Sequence, residues 1–371
     1  MKKSREIGKP TGAGTLDKGL TVLETIEHAS HPVTLQEIAA ASGIQRLAVY
    51  RLASVLVERG YVRRGEDKRY RAATRRRRPL LGYAAPLTGN TFRQDLAASL
   101  QRAADAADAD LVMLHNDPAD SVALMQNVET LLKTRVNLTM LFQPVEALGN
   151  MVAGRLAEAS VPFISIERPV QGGVYFGANN YQAGKLAGHR LGRHARECWG
   201  SRYDRVVLIE GAQTSTNVNA RLAGVLVGLG EVAGAVDIAR VVHLHGNADR
   251  EASRLAMATL FERLPEKCRM LVSAFNDISA LGAMDAVLAA GRSATVAIVG
   301  HNAMHESRVE IRKSESPFIA SVAYFPERYG PKLLKLATSI IEGDATPPAA
   351  YTDHLVIDQS NVDALYPMPA S

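Results

Sequence analysis

The sequence predicts an α/β protein in two parts: a small helical segment with a two-stranded wing, then a large segment of parallel sheets covered by helices. Three observations predict it. Residues 34–56 hold two short amphipathic helices joined by a Ser-Gly turn. From Leu80 onward, apolar runs of strand length alternate with amphipathic stretches of helix length, the pattern of helices packed on parallel sheets. Charge divides with them: residues 1–79 carry 17 Lys and Arg against 8 Asp and Glu, and the remainder carries 26 against 30.

Residues 1–14 contain Lys, Gly and Pro without periodicity and read as a flexible basic arm. Leu20, Val22, Leu23 and Ile26 then mark a scaffold helix over 16–28. Thr34 followed by Glu37 is a capping box that starts the next helix, whose apolar side is Leu35, Ile38 and Ala39. Ser42-Gly43 ends it. A second stripe follows at Leu47, Leu52, Val55 and Leu56, with Gln45, Arg46, Tyr50 and Arg51 mostly off it, near the helix start. A helix-turn-helix needs that division: apolar residues lock the helices while polar ones at the second helix's N-terminal end meet base edges and phosphates. On these residues alone an ordinary helical hairpin with a solvated face remains the alternative.

The wing adds to the case. Tyr61-Val62-Arg63-Arg64, the turn Gly65-Glu66-Asp67 and Lys68-Arg69-Tyr70-Arg71 predict a β-hairpin with basic residues placed for phosphate oxygens. The candidate DNA contacts are Thr34, Gln45, Arg46, Tyr50, Arg51, Arg63, Arg64, Lys68 and Arg69, in the segment that holds the basic excess. From Leu16-Asp17-Lys18-Gly19-Leu20 through Tyr50-Arg51-Leu52 to Arg59-Gly60-Tyr61-Val62, residues 15–73 resemble the winged helix-turn-helix domain of the isocitrate-lyase-regulator (IclR) family. The resemblance implies binding to a double-stranded DNA operator. Residues 74–79, with four consecutive arginines before Pro79, read as a basic linker or as a segment that tracks the DNA backbone.

In the large segment, strands are expected at 80–84, 111–114, 138–142, 162–166, 205–209, 239–244, 270–274 and 295–299, with a further run at 319–322. Helices are expected between them, at 92–107, 120–133, 183–195, 217–229, 250–263 and 278–290 among others. That much alternation exceeds one comfortable sheet, so two lobes are expected within 80–358. Lobe one takes about 80–180 and 325–349, lobe two about 181–324 and 350–358, and 359–371 form a tail.

Open α/β sheets bind ligands at the carboxyl ends of their strands. The polar residues there are Asn90, Phe92 and Arg93; Glu167 and Arg168; the run 213–219 with Arg221; Asn276 and Asp277; Gly300-His301-Asn302; and Tyr324. Amides, guanidinium groups and aromatic faces suit vicinal hydroxyls and sugar rings.

Four stretches carry a resemblance here: Gly177-Ala178-Asn179-Asn180-Tyr181-Gln182-Ala183-Gly184, Arg221-Leu222-Ala223-Gly224, Asn276-Asp277-Ile278-Ser279-Ala280-Leu281-Gly282-Ala283 and Val299-Gly300-His301-Asn302. They resemble the effector domains of lactose-repressor-type (LacI-type) regulators and the periplasmic sugar-binding proteins of the ribose-binding type. The resemblance implies a type I periplasmic-binding-protein-like fold in which Arg221 and Asn276 hold the ligand. It puts Phe92 at the aromatic position after the first strand, Arg168 after the fourth and Tyr324 before the last crossover. One departure stands out: the family usually has aspartate where this chain has Asn302. A carboxylate accepts hydrogens at both oxygens, whereas an amide accepts at one atom and donates at the other. Neutral pentose or hexose recognition is therefore in doubt, and a sugar acid or modified sugar gains weight. The pairing is also unusual, because each module normally accompanies a different partner domain.

Other motifs carry no chemistry. Gly228-Leu229-Gly230-Glu231-Val232-Ala233 satisfies G-x-G-x-x-A but falls late in a helix, where no phosphate cradle forms. His301 and His305 have helical i, i+4 spacing and His243 and His245 share a strand face, yet neither pair has a third metal ligand. Cys198 and Cys268 read as reduced thiols. No nucleophile or acid–base constellation appears, so no enzyme activity and no cofactor are expected. No run approaches the ~20 apolar residues of a membrane span, and no apolar signal core follows the basic N-terminus. The expected protein is a cytoplasmic, dimeric or higher homo-oligomeric transcriptional regulator, a repressor or activator answering to a small effector such as a sugar or sugar acid. An enzyme with a DNA-targeting domain, or a sugar receptor with a protein-interaction module, are the alternatives.

Overall fold

The structure is a computed structural model and describes residues 14–29, 31–65, 67–72, 78–88, 91–117, 120–211 and 216–368, without the side chains of 216–218. Asn90, Glu66 and positions 213–215 lie outside the described residues, as do the arm before Gly14 and most of the arginine run. The chain forms two compact units, Met1–Arg78 and Pro79–Ser371.

The first unit comprises helices α1 (Gly14–Glu27), α2 (Leu35–Ser42) and α3 (Arg46–Glu58), then an antiparallel hairpin of β1 (Val62–Arg64) and β2 (Tyr70–Ala72). The capping box forms: Glu37 N–H donates to Thr34 Oγ1 (3.3 Å), and Thr34 N–H donates to Glu37 Oε2 (2.6 Å). Gly43 closes α2 with φ 68°, a left-handed position that glycine occupies without a Cβ penalty. Val22, Ile26, Val33, Ile38, Val49, Ala53, Val62 and Tyr70 make the core.

The expected stripe on α3 is corrected. Leu47 is 66% and Val55 49% exposed, while Val49 and Ala53 are fully buried and Leu52 and Leu56 flank them. One turn of helix separates 49 from 53, so these two point at α1 and α2, and 47 and 55 fall on the far face. Leu20 of α1 is likewise exposed (49%), leaving Val22 and Ile26 as that helix's core residues.

The second unit holds strands β3 (Leu80–Ala85), β4 (Asp110–His115), β5 (Leu138–Leu141), β6 (Phe163–Ile166), β7 (Val174–Gly177), β8 (Arg205–Glu210), β9 (Val241–His245), β10 (Met270–Ala274), β11 (Val296–Asn302), β12 (Phe318–Ala323), β13 (Ala349–Tyr351) and β14 (Leu355–Asp358). Its helices are α4 (Thr91–Ala106), α5 (Ser121–Thr134), α6 (Glu146–Glu158), α7 (Asn180–Trp199), α8 (Thr216–Ala233), α9 (Arg250–Phe261), α10 (Asp277–Ala289), α11 (His305–Ile311), α12 (Tyr329–Ile341) and α13 (Val362–Leu365). Two six-stranded sheets result, ordered β13-β7-β6-β5-β3-β4 and β14-β12-β11-β10-β8-β9. Every pairing is parallel except β12 with β14. The inner strands β3, β5, β6, β8, β10, β11 and β12 are buried almost throughout, as helix-covered parallel sheets require, while the edge strands β4, β9, β13 and β14 are half-buried or exposed along much of their length.

The chain passes between the sheets three times: from β7 into α7, from β12 into α12, and from β13 into β14. Tyr324 therefore precedes the second crossover, not the last. Strands β7, β13 and β14 were not among the expected runs; β13 and β14 are mostly half-buried or exposed, so no continuous apolar run marks them. Residues 238–240 and 293–295 are single 3-10 turns, so β9 and β11 start later than expected. β11 then continues through His301 and Asn302. His301 is thus a strand residue and His305 the first residue of α11, which removes their helical pairing.

Helices α7 and α8 meet backbone to backbone. A Cβ on Gly184 would lie 1.8 Å from Arg221 O, and one on Gly228 would lie 2.2 Å from Lys185 O. Gly228 of the G-x-G-x-x-A stretch is thus a packing glycine inside α8.

Candidate functional site

Two surfaces are candidates, one in each unit. In the first unit, Gln45 occupies the N-cap of α3 without a side-chain cap bond, and Gln45, Arg46, Tyr50 and Arg51 are all exposed. Arg46 and Tyr50 lie one turn apart, so a groove-reading face is available at the N-terminal end of α3. Arg63 and Arg64 are exposed on β1, and Arg64 lies over the Tyr70 ring (5.7 Å). Lys68 turns the wing with φ 59° and is exposed. Two expected contacts already have structural duties. The Thr34 hydroxyl sits in the capping box, and Arg69 Nη1 donates to Pro32 O (2.9 Å), 3.7 Å from Glu37, fastening the wing to the start of α2.

In the second unit, the polar residues cluster at the three crossovers. Arg221 is 7% exposed, and its Nε and Nη2 both donate to Asn180 Oδ1 (2.9 and 2.6 Å). Its Nη1 donates to the Phe275 carbonyl, and its guanidinium lies 5.1 Å from the centre of the Tyr324 ring. Tyr324 Oη meets His301 Nδ1 (3.0 Å), and the two rings stack. His354 packs edge-on to Tyr324, and its Nε2 accepts the Asn179 N–H (2.9 Å). Asn179 and Asn180 open the first crossover's helix, Tyr324 precedes the second crossover, and His354 lies on the third. Arg221 and Tyr324 thus form the centre of a cluster that laces the crossovers together.

On the lobe-one side, Tyr329 Oη donates to Glu167 Oε1 (2.5 Å), and Ala178 N–H lies 3.5 Å from Glu167 Oε2. Burial pushes the Glu167 carboxyl up from its ordinary range, against the Tyr329 hydrogen bond and the Arg221 charge. Burial holds His301 well below its usual value, with Arg221 and His354 adding to the effect. Burial, then Arg221, brings His354 down to about 4. Both imidazoles are therefore neutral beside a fixed guanidinium.

Asn276 caps α10, its Oδ1 accepting Ser279 N–H (2.9 Å). Its neighbour Asp277 is turned into the lobe core, where its carboxylate takes Met304 N–H (2.7 Å), Ser307 Oγ (2.5 Å) and Ser321 Oγ (2.7 Å). Asn302 ends β11 with φ 110°, a strained conformation of the kind that gathers at functional sites. With Phe92, Thr91, Asp95, Arg308, Glu327 and Tyr366 it lines a cavity of about 20 Å³. That is room for one water.

Phe92 also packs edge-on against Tyr329 (5.9 Å) and tilted against Phe142 (6.4 Å). Arg93 lies over the Phe142 ring (5.9 Å). Arg168 stands apart from the cluster, half-buried, with Glu146 as the charge acting on it. A second cavity of about 380 Å³ flanks the first and third crossovers, lined by Tyr175, Asn180, Tyr181 and Tyr351 among others.

Three residues of the cluster were not among the polar residues expected at the strand ends: Asn180, Tyr329 and His354. Asn180 lay within a quoted stretch, but its bond to Arg221 joins positions 41 apart, which no local pattern marks. Among the described residues no group of three His, Cys, Asp or Glu could hold a metal ion. No helix among them is long and apolar enough to cross a membrane.

Comparison with known proteins places both units. Residues 81–345 match the periplasmic binding protein domain model, and residues 15–66 match the IclR helix-turn-helix domain model. Neither is a catalytic family. The ribose import binding protein RbsB of Escherichia coli (strain K12) is 28% identical over 263 residues, 69% of this chain and 82% of that protein. The D-ribose/D-allose-binding protein of Pseudomonas aeruginosa is 29% identical over 191 residues, half of each protein. A solute-binding protein of Actinobacillus succinogenes 130z with bound D-allose shares the fold with a TM-score of 0.66 at 18% identity, covering 77% of this chain and 99% of that one. One from Bacillus halodurans C-125 with bound myo-inositol superposes with a TM-score of 0.65 at 17% identity, covering 78% and 97%.

Proposed function

The chain belongs to the periplasmic binding protein domain family, and from that premise we propose that it is a non-catalytic transcriptional regulator answering to a sugar or sugar derivative. The observation that carries this is the joining, in one chain, of a helix-turn-helix at 15–66 to a periplasmic binding protein domain at 81–345. The two curated relatives are named for ribose and allose. A lone receptor would have no use for the exposed polar end of α3, and neither matched family is catalytic.

The N-terminal end of α3 enters the major groove of an operator, and the wing arginines meet phosphates. Ligand-driven movement of the two lobes, divided near 180, 324 and 350, is transmitted to paired DNA-binding units in a cytoplasmic homodimer of the LacI-type plan. For a two-fold pair, the half-sites are expected about 34–36 Å apart or a multiple of it. Arg221, Asn276, Asn302, Phe92, Arg93, Glu167, Arg168 and Tyr324 contact the ligand.

The test measures fluorescence anisotropy of genomic DNA fragments bound to the purified protein, with and without ribose, allose and their derivatives. Specific binding whose affinity changes with one of these sugars is the expected result. Absence of DNA binding even at low salt overturns the regulator reading.

A further inference from the structure

Resting on the operator-binding reading above, we infer that Leu47 reads thymine: the operator presents a T·A pair to this side chain, which packs on the 5-methyl group in the major groove. Leu47 is the second residue of α3 and is 66% exposed. Its side of the helix continues through Arg51, Ser54 and Glu58, all exposed, at the i, i+4, i+7 and i+11 spacing of a single face. Val49 and Ala53, fully buried, hold the opposite side against the core. Leu47 is therefore an apolar point on the face directed away from the domain. It lies at the helix end whose residues meet base edges in a helix-turn-helix.

The surroundings select the occupant. Arg46 precedes Leu47 and Arg51 follows one turn on, both exposed, and the first turn of α3 holds no acidic residue. A two-fold contact with a second copy, centred on Leu47, would set these guanidinium groups against their own kind, and like-charge juxtaposition is costly. A polyanion with an apolar spot on its surface meets both demands. The phosphates that flank the major groove suit the arginines, and the groove floor supplies the apolar spot.

The thymine methyl is the bulky apolar group that base pairs expose there, among hydrogen-bond donors and acceptors. A leucine set over the N7 and O6 acceptors of guanine would strip their water and offer no hydrogen in return. Polar readers stand beside it: the Gln45 side chain makes no cap bond, and Tyr50 is exposed one turn away. Ser54 is less suited, because its hydroxyl donates to Tyr50 O within the helix (2.8 Å). Val55, the other exposed aliphatic residue of α3, lies more than two turns further along.

The test selects duplexes from a random-sequence pool with the full-length chain. The tightest duplex is then resynthesised with deoxyuridine in place of each thymine in turn, which removes one methyl group and leaves base pairing unchanged. A T·A pair is expected at one fixed position of every selected half-site. Its replacement is expected to weaken binding about fourfold in anisotropy titrations, the size expected for one buried methyl-sized group. Leu47→Ala, a change at an exposed position, is expected to bind the thymine and deoxyuridine duplexes equally, while Val55→Ala keeps the discrimination. If no deoxyuridine weakens binding, the inference is overturned and the regulator reading stands. The same follows if Leu47→Ala discriminates as well as the parent, since another group then reads the methyl. A Leu47→Ala protein that changes its oligomeric state and keeps the discrimination assigns the leucine to a second copy and also overturns the inference. Selection of no duplex overturns the regulator reading and this inference with it.

Discussion

Asn180 holds Arg221 by a fork: both Nε and Nη2 of the guanidinium converge on one carboxamide oxygen, at 2.9 and 2.6 Å. The acceptor is the first residue of α7, directly after a crossover, and the donor lies near the start of α8. Movement of the first crossover therefore carries Arg221 with it.

Asn180→Ala removes the acceptor and leaves a buried guanidinium short of partners. Hydrogen bonds to charged groups contribute about 1.5–3 kcal/mol, and a loss of that size is expected in urea unfolding. Effector affinity is expected to fall in the same protein. Unchanged stability and affinity would show that Phe275 O and the Tyr324 face suffice.

Two glycines should respond oppositely to alanine. Gly184→Ala sets a methyl against Arg221 O, where it would lie 1.8 Å away. Such overpacking costs about 1–3 kcal/mol or more. Gly154→Ala, inside α6 with nothing within 4 Å of the new carbon, should stabilise by about 0.5–1 kcal/mol. Thermal melts of both variants decide whether α7 and α8 need backbone contact.

Arg51 is exposed near the start of α3. If it meets a phosphate, Arg51→Ala lowers affinity across all DNA sequences and reduces the salt slope of log K by about 0.9. Anisotropy titrations at several salt concentrations measure that slope. A loss confined to one base position would mark Arg51 as a base reader.

Asp277 gives a pH signature. Burial raises its carboxyl from 3.8 to about 6, against the bonds from Ser307, Ser321 and Met304 N–H. The folded state then holds a proton that the unfolded chain releases earlier. Stability from this group is complete below about 4 and is lost as pH rises through about 6. His354, brought down to about 4, acts in the opposite sense over part of that range. Comparing wild type with Asp277→Asn isolates the first effect: the variant's relative stability is expected to rise from pH 4 to 6, by up to about 1.4 kcal/mol per unit. A flat difference would refute it.

Much of this was legible locally. The Thr34–Glu37 capping box, the Gly43 turn and the wing are short-range patterns, and each appears with its expected bonds. The strand–helix alternation was equally plain, since buried parallel strands read as continuous apolar runs. Arg221 and Tyr324 were named from the sequence, and the structure brings their side chains together. Failures occurred where the deciding partner was distant in sequence. Leu47 and Val49 are both apolar, and only the packing of α1 and α2 selects Val49. Short β7, β13 and β14 take their identity from neighbours in the sheet.

Local capping, turn chemistry and hydrophobic period set the order of the two units, most of their elements, and the residue types at the strand ends. The packed sheets are what bring Arg221 to the Asn180 oxygen, the Tyr329 hydroxyl to the Glu167 carboxylate, and His354 of the third crossover to the first. Those pairs are 41, 162 and 175 positions apart. Hydrogen bonds form between whatever groups the folded sheets bring within 3 Å, and that proximity is a property of the whole topology, not of any window along the chain.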